Sequence, residues 1–167
     1  MLLGMSLAAF TTLHVIISLV GIASGFVVVF AMCRGQRTPA WTVVFLITTI
    51  LTSATGFLFP SKQFGPPHVI GLISLVVLTL ALIALYGRQL AGPWRPLYVV
   101  TSVVALYFNV FVGVVQAFQK VSFLKPLAPT QTEPPFFVAQ LLVLALFVWI
   151  GYTALRGFPS QTLRLAV

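Results

Sequence analysis

The chain contains few charged residues and almost no acidic ones. Charged types make up 6% of its 167 residues, Glu133 is the only acidic side chain, and Cys33 is the only cysteine. A single cysteine excludes a disulfide within the chain and any Cys-x-x-Cys metal site. Soluble domains carry about 25% charged residues, so this composition does not suit a water-soluble fold.

Most of the remaining residues are apolar. Hydrophobic types make up 60% of the chain, and nine Lys and Arg residues give a net charge of +8. These basic residues stand singly at the ends of apolar runs, so we expect them to meet anionic lipid headgroups rather than nucleic acid. The first ten residues contain no Lys or Arg, which a cleaved signal peptide carries. We therefore expect the first apolar segment to be retained.

Five apolar runs, each about 20 residues long, are bounded by Pro, Gly or charged residues. This is the length that a helix needs to cross a bilayer, and helices satisfy their own backbone in lipid. The sequence therefore predicts an all-α integral membrane bundle of five transmembrane helices, forming one domain over residues 1–167. The predicted spans are residues 13–32, 41–59, 68–86, 97–118 and 136–155, and the longest connection is residues 119–135.

The basic residues are sorted by type between the two ends of this predicted bundle. Six arginines fall at one end, and three lysines fall at the other together with Glu133. The arginines are Arg34, Arg37, Arg88, Arg95, Arg156 and Arg164, and the lysines are Lys62, Lys120 and Lys125. An excess of basic residues favours the cytoplasmic side. We therefore predict that the N-terminus lies outside and the C-terminus inside.

Two histidines open spans that run from the outside inward. His14 and His68 are each followed by about 18 apolar residues, which places both rings at a similar depth. Two neutral imidazoles on different helices are a ligand set for a metal ion or for the iron of haem b. In the alternative interpretation, His68 is a water-exposed residue at the start of a helix.

A face of small residues continues from His14. Ser18, Gly21 and Gly25 follow it at helical spacing, and Gly21 and Gly25 form a Gly-x-x-x-Gly motif. This motif is typical of close helix packing in membranes. The same face would also leave room for a flat macrocycle.

Three amide side chains lie in the outer half of the predicted bundle. Asn109 and Gln116 belong to the fourth span and Gln140 to the fifth. With the two histidines they predict a polar ligand pocket that opens outward. In the alternative interpretation, they make hydrogen bonds between helices that fix the packing.

The sequence favours two functions. It has no Asp or Glu within a span and no P-loop, HExxH or GxSxG motif, so we expect neither an enzyme nor a proton-coupled pump. The first function is a non-catalytic subunit or scaffold of a larger membrane complex, or of a homo-oligomer. The second is a small b-type cytochrome or metal-binding electron carrier that uses His14 and His68. A channel or carrier is less favoured, because the inner halves of the first and third spans are apolar.

Several short motifs resemble those of small bacterial inner-membrane proteins without an assigned activity. They are H-x6-G-x3-G in the first span, T-x-x-T-G in the second, PPH-x-x-G at the start of the third, and APTQTEPPF over residues 128–136. The resemblance implies the bacterial cytoplasmic membrane, the same topology, and histidines at the outer ends of helices. It implies no particular activity.

Overall fold

The computed structural model describes residues 4–60 and 64–159, which form five long helices. All five are long and apolar enough to cross a membrane, the third when it is counted through to Gly87, which confirms the predicted all-α membrane bundle. Lys62 and Arg164 lie outside the described residues. The helices are α1 (Leu7–Cys33), α2 (Pro39–Gly56), α3 (Pro66–Leu82), α4 (Trp94–Lys120) and α5 (Pro134–Gly157), with a π-helix at Ile83–Gly87 and a 3-10 turn at Lys125–Leu127.

Proline sets the start of three helices. Pro39, Pro66 and Pro134 are the first residues of α2, α3 and α5, each two residues before the predicted span. Proline lacks the N–H that has no partner at this position anyway, and its ring already has the helical φ angle. At the other end, α2 stops at Gly56 rather than at residue 59, because the chain turns over Phe57 and Leu58.

The five helices form a closed ring. α2 packs against α1 and α3, α4 packs against α3 and α5, and α5 packs back against α1. α1 also contacts α4 across the middle of the ring, where Val29, Phe45 and Leu106 are fully buried. Outside the ring the helices expose apolar side chains, as expected where lipid is the solvent.

Gly21 and Gly25 lie where α1 approaches α2 and α4. A Cβ added at Gly25 would stand 2.6 Å from Leu106 Cδ1 and 2.8 Å from Phe45 Cε2, closer than real contacts allow. One at Gly21 would stand 3.2 Å from the Thr48 hydroxyl oxygen. Ser18 has a different role, since its hydroxyl donates to the His14 carbonyl at 2.8 Å.

Glu133 holds the connection between α4 and α5 in shape. Its carboxylate accepts hydrogen bonds from the Thr130 hydroxyl at 2.8 Å and from the backbone N–H groups of Thr130 and Thr132 at 3.1 and 3.0 Å. Desolvation raises the pKa of Glu133, but these hydrogen bonds outweigh it, so the pKa lies below its ordinary value of 4.5. The carboxylate therefore favours the folded connection in its charged form.

This pKa shift predicts that the connection loosens in acid. A carboxyl group whose pKa is lowered on folding contributes stability above its unfolded pKa, and that contribution is lost as the pH falls through the folded pKa. We expect amide exchange at Thr130 and Thr132 to accelerate, beyond the intrinsic pH effect, only below about pH 4.5. The Glu133→Gln variant should exchange faster at neutral pH. Identical protection in both proteins across this range would contradict the prediction.

Candidate functional site

His14 is held against the end of α2. Its Nδ1 lies 2.8 Å from the Thr55 hydroxyl oxygen, and its ring meets the Phe59 ring edge to face at 5.1 Å. The Thr55 hydroxyl donates to the Leu51 carbonyl at 2.6 Å, so it accepts a hydrogen bond from His14. The proton of the neutral imidazole is therefore on Nδ1, and the lone pair is on Nε2.

His68 closes the first turn of its own helix. Its Nδ1 accepts a hydrogen bond from the Gly65 backbone N–H at 3.2 Å, and its ring lies 5.2 Å from that of Phe64 and 5.7 Å from that of Phe57. This is the reach-back half of a capping box. The neutral ring then carries its proton on Nε2, the opposite tautomer to His14.

The two imidazoles have separate surroundings. His14 contacts Thr55 and Phe59, whereas His68 contacts Phe57, and helix α2 separates the helices that carry them. Nε2 of His14 carries a lone pair, as a ligating nitrogen must, but Nδ1 of His68 is engaged in its own helix cap. A shared metal or haem site between them therefore remains a prediction, and it would require the ring of His68 to leave its cap.

The three predicted amide residues are also dispersed. Asn109 donates to the Thr49 hydroxyl at 3.2 Å beside Gly21, and Gln140 donates to the Phe111 carbonyl at 3.2 Å. Gln116 is exposed. The first two therefore connect neighbouring helices, as the packing interpretation expects, and an outward pocket framed by these residues stays a prediction.

A cavity of about 320 Å³ lies at the opposite, arginine-rich end of the bundle. Its volume falls at the lower end of the range found for small-molecule sites. All five helices or the segments that follow them contribute to its walls. The lining residues are Val28, Met32, Gln36, Arg37, Thr38, Pro39, Thr42, Val43, Leu85, Tyr86, Leu90, Tyr98 and Phe158.

Irregular backbone surrounds this cavity. α3 widens into a π-helix at Ile83–Gly87, and the two residues after Arg88 have positive φ, 49° at Gln89 and 61° at Leu90. Both features are uncommon and are found often at functional sites. Leu90 is nevertheless buried and its side chain lines the cavity, so burial holds the unfavourable backbone angle in place.

Phe158 joins the end of α5 to the cavity. Its ring lies 5.9 Å from that of Tyr98 and 5.5 Å from the guanidinium carbon of Arg37. Its carbonyl accepts hydrogen bonds from Arg95, with 2.7 Å between the carbonyl oxygen and Nε. The charge of Arg37 is thus held over an aromatic face at the wall of the cavity.

In the sequence, Arg37 and Arg95 contribute only to the charge difference between the two ends, and no pattern predicts the cavity. Proline, glycine and tryptophan between Gly92 and Pro96 mark a special turn there, but nothing in the sequence shows that Leu90 has a positive φ. Comparison of the chain with protein-family models, with curated proteins and with solved structures gave no match.

Proposed function

We propose that this chain is a non-catalytic subunit or scaffold of a larger assembly in the bacterial inner membrane, and that α5 contacts the partner. The observation that carries the proposal is the position of Trp149. Its side chain is 61% exposed, and it lies eight residues, about 12 Å, before the end of α5 at Gly157. Tryptophan in membrane proteins is ordinarily found at the water interface.

The indole of Trp149 is polar at one edge. Among the described residues none accepts a hydrogen bond from its N–H, and lipid tails cannot accept one. A polar group without a partner in hydrocarbon costs free energy. An acceptor on a neighbouring subunit would remove this cost, as indole groups at buried sites usually have a partner.

The surroundings of Trp149 suit a helical partner. Leu142, Ala145, Tyr152 and Arg156 are exposed at helical spacing along the same side of α5, and the Arg156 guanidinium lies 4.4 Å from the Tyr152 ring centre. Ala145 is small and lies one turn before the indole, so a facing helix could approach α5 closely there. We propose either another membrane protein or a second copy of this chain as the partner.

Native mass determination after extraction in a mild detergent tests this proposal. The wild-type chain should exceed its monomer mass of 18.1 kDa. Trp149→Ala should weaken the association by about 2 kcal/mol or more, roughly thirtyfold, as for other central interface tryptophans. Trp149→Phe should have a smaller effect, because it keeps an aromatic ring and loses the N–H together with part of the ring surface. The matched control is Leu72→Ala on α3, a 53%-exposed residue, which should leave the mass unchanged. A wild-type protein that is monomeric under these conditions would contradict the proposal.

A second candidate function is the b-type cytochrome or metal-binding electron carrier. The observation that favours it is the tautomer of His14, since a histidine that donates through Nδ1 presents Nε2 to a metal. The observation against this function is that Nδ1 of His68 already accepts a hydrogen bond from the Gly65 N–H in its own helix cap. An absorption spectrum of the purified protein decides between them. A Soret band that His14→Ala abolishes would establish the cytochrome, and a colourless, metal-free protein would remove it.

A further inference from the structure

We infer that the cavity at the arginine-rich end binds one anionic phospholipid, with a segment of acyl chain inside the cavity and the phosphate at Arg37. This binding site is separate from the α5 surface, and the inference does not depend on the proposed subunit function. It follows from the walls of the cavity, the charge at its wall and the backbone beside that charge.

The inner walls of the cavity are apolar. Val28, Met32, Leu90 and Phe158 line it and are each at most 3% exposed. Burying a hydrocarbon chain against such a surface is favourable. A small ion would lose its water of hydration there without gaining hydrogen bonds in return. A small inorganic anion alone would therefore not account for the cavity.

The charge of Arg37 is not matched by an acidic side chain of the chain. The only one, Glu133, precedes α5, whereas the cavity lies beside Phe158 at the end of that helix. The 24 residues of α5 separate them by about 36 Å. Arg37 is exposed, and a phosphate is a good match for its guanidinium group, so an anionic ligand would supply the counter-charge that no acidic side chain provides.

Thr38 lies beside Arg37 at the start of α2, and its buried hydroxyl would have to turn toward the cavity to reach a phosphate. Threonine before a helix normally accepts a hydrogen bond from an N–H of the first turn, yet Thr38 makes no such bond to α2. Within the described residues its buried hydroxyl oxygen has no hydrogen-bond partner. Ser6, by contrast, accepts from the Ala9 N–H at 3.2 Å at the start of α1. The uncapped start of α2, with its partial positive charge, thus lies beside Arg37.

The geometry favours a phospholipid of the bilayer over a free anion. The cavity is at one end of the membrane-spanning helices, where headgroups and the first part of the acyl chains lie. Residues at its rim, such as Val43 and Tyr86, are 42% and 58% exposed, so a chain can enter from the side of the bundle. The aliphatic chain and the phosphate would then meet the apolar walls and Arg37 together.

Native mass spectrometry with added lipid tests the inference on the full-length protein in detergent. We expect saturable binding of one dioleoylphosphatidylglycerol per chain, tighter than dioleoylphosphatidylcholine and tighter than oleate. Arg37→Gln should weaken phosphatidylglycerol binding about tenfold or more, the loss expected for one hydrogen bond to a charged group. Arg34→Gln is the matched control. It removes the same charge three residues earlier, from a side chain that is absent from the cavity lining, and should change binding less than twofold.

A second pair of variants tests whether the cavity itself takes part. Val43→Trp should fill the rim of the cavity and weaken binding by a similar factor without changing the charge. Val44→Trp is its control, since Val44 is 38% exposed and does not line the cavity. This pair still tests the inference if Arg37→Gln does not fold, as judged by circular dichroism.

Three results would overturn the inference. Equal losses in Arg37→Gln and Arg34→Gln would show a diffuse surface charge effect. Unchanged binding in Val43→Trp would show that no chain enters the cavity. Tighter binding of oleate than of phosphatidylglycerol would identify a free fatty acid as the occupant instead. None of these results would affect the association through α5, which is measured by the mass of the assembly.

Discussion

Replacing Gly157 by alanine is expected to destabilise the bundle by about 3 kcal/mol or more, near the upper end of the usual cost of overpacking. Gly157 is the last residue of α5 and faces the end of α1. A Cβ there would clash with the Cys33 carbonyl oxygen and would lie 2.8 Å from that of Met32. These are backbone atoms, so no side-chain rotation relieves the clash, and the two helix ends would have to separate.

The same separation would disturb neighbouring contacts. The Cys33 sulfur lies 3.3 Å from the Thr153 hydroxyl oxygen, and Phe158, immediately after Gly157, contributes to the cavity. Stability can be measured by unfolding in mixed micelles with increasing dodecyl sulfate. Gly113→Ala is the matched control, because a Cβ there would meet only Ile22 Cδ1 at 3.8 Å. That substitution should be neutral or stabilising by up to about 1 kcal/mol, since alanine favours helix over glycine. Equal effects at the two glycines would contradict the account of this helix contact.

Replacing Arg95 by methionine is expected to cost about 2–4 kcal/mol. Arg95 lies in the first turn of α4 and donates to the last carbonyls of α5, with 2.8 Å between Nη2 and the Leu155 oxygen and 2.7 Å between Nε and the Phe158 oxygen. Its Nη2 also donates to the Phe158 carbonyl. Hydrogen bonds from a charged donor contribute about 1.5–3 kcal/mol each, though not additively. A positive charge at a helix C-terminus is also favourable.

The control for Arg95 is another arginine at the same end of the bundle. Arg156 is exposed and contacts the Tyr152 ring, so Arg156→Met should cost no more than about 1 kcal/mol. Arg95→Lys should fall between the two, because an ammonium group cannot form the planar fork of a guanidinium. The same micelle unfolding measurement compares all three. If Arg95→Met were as stable as Arg156→Met, the capping role would be wrong.

The apolar runs and their bounding prolines were enough to predict the five helices. Continuous hydrophobic runs of the right length have few alternatives in a bilayer, and prolines such as Pro39 and Pro66 mark helix starts to within two residues. The π-helix at the end of α3 was not predictable, because no residue type in Ile83–Gly87 distinguishes a π-turn from an ordinary helical turn.

The candidate site was harder to predict for a physical reason. Sequence patterns draw attention to residues that are rare in a membrane, such as His14, His68 and Asn109, and a rare polar residue can serve packing as well as function. Here two of them bond to the threonines Thr55 and Thr49 of α2. The cavity instead depends on where apolar side chains leave space, and neither composition nor periodicity reports an empty volume.

Arginines and lysines lie at opposite ends of the bundle. Arg37 and Arg95 lie at the end that carries the cavity, and Lys120, Lys125 and Glu133 lie at the other. We propose that the arginine-rich end faces the cytoplasm, where anionic lipids attract basic residues. Under this arrangement the cavity takes its phospholipid from the inner leaflet, and both histidines lie toward the outer side.

Cysteine labelling on intact cells tests the central claim, that the bundle crosses the membrane with its arginine-rich end inside. In a Cys33→Ser background, Ser122→Cys and Ala91→Cys place a thiol at exposed positions of opposite ends. We predict that a membrane-impermeant maleimide labels the cysteine at position 122 in intact cells, and the one at position 91 only after the membrane is permeabilised. Labelling of both positions in intact cells, or of position 91 alone, would contradict the account.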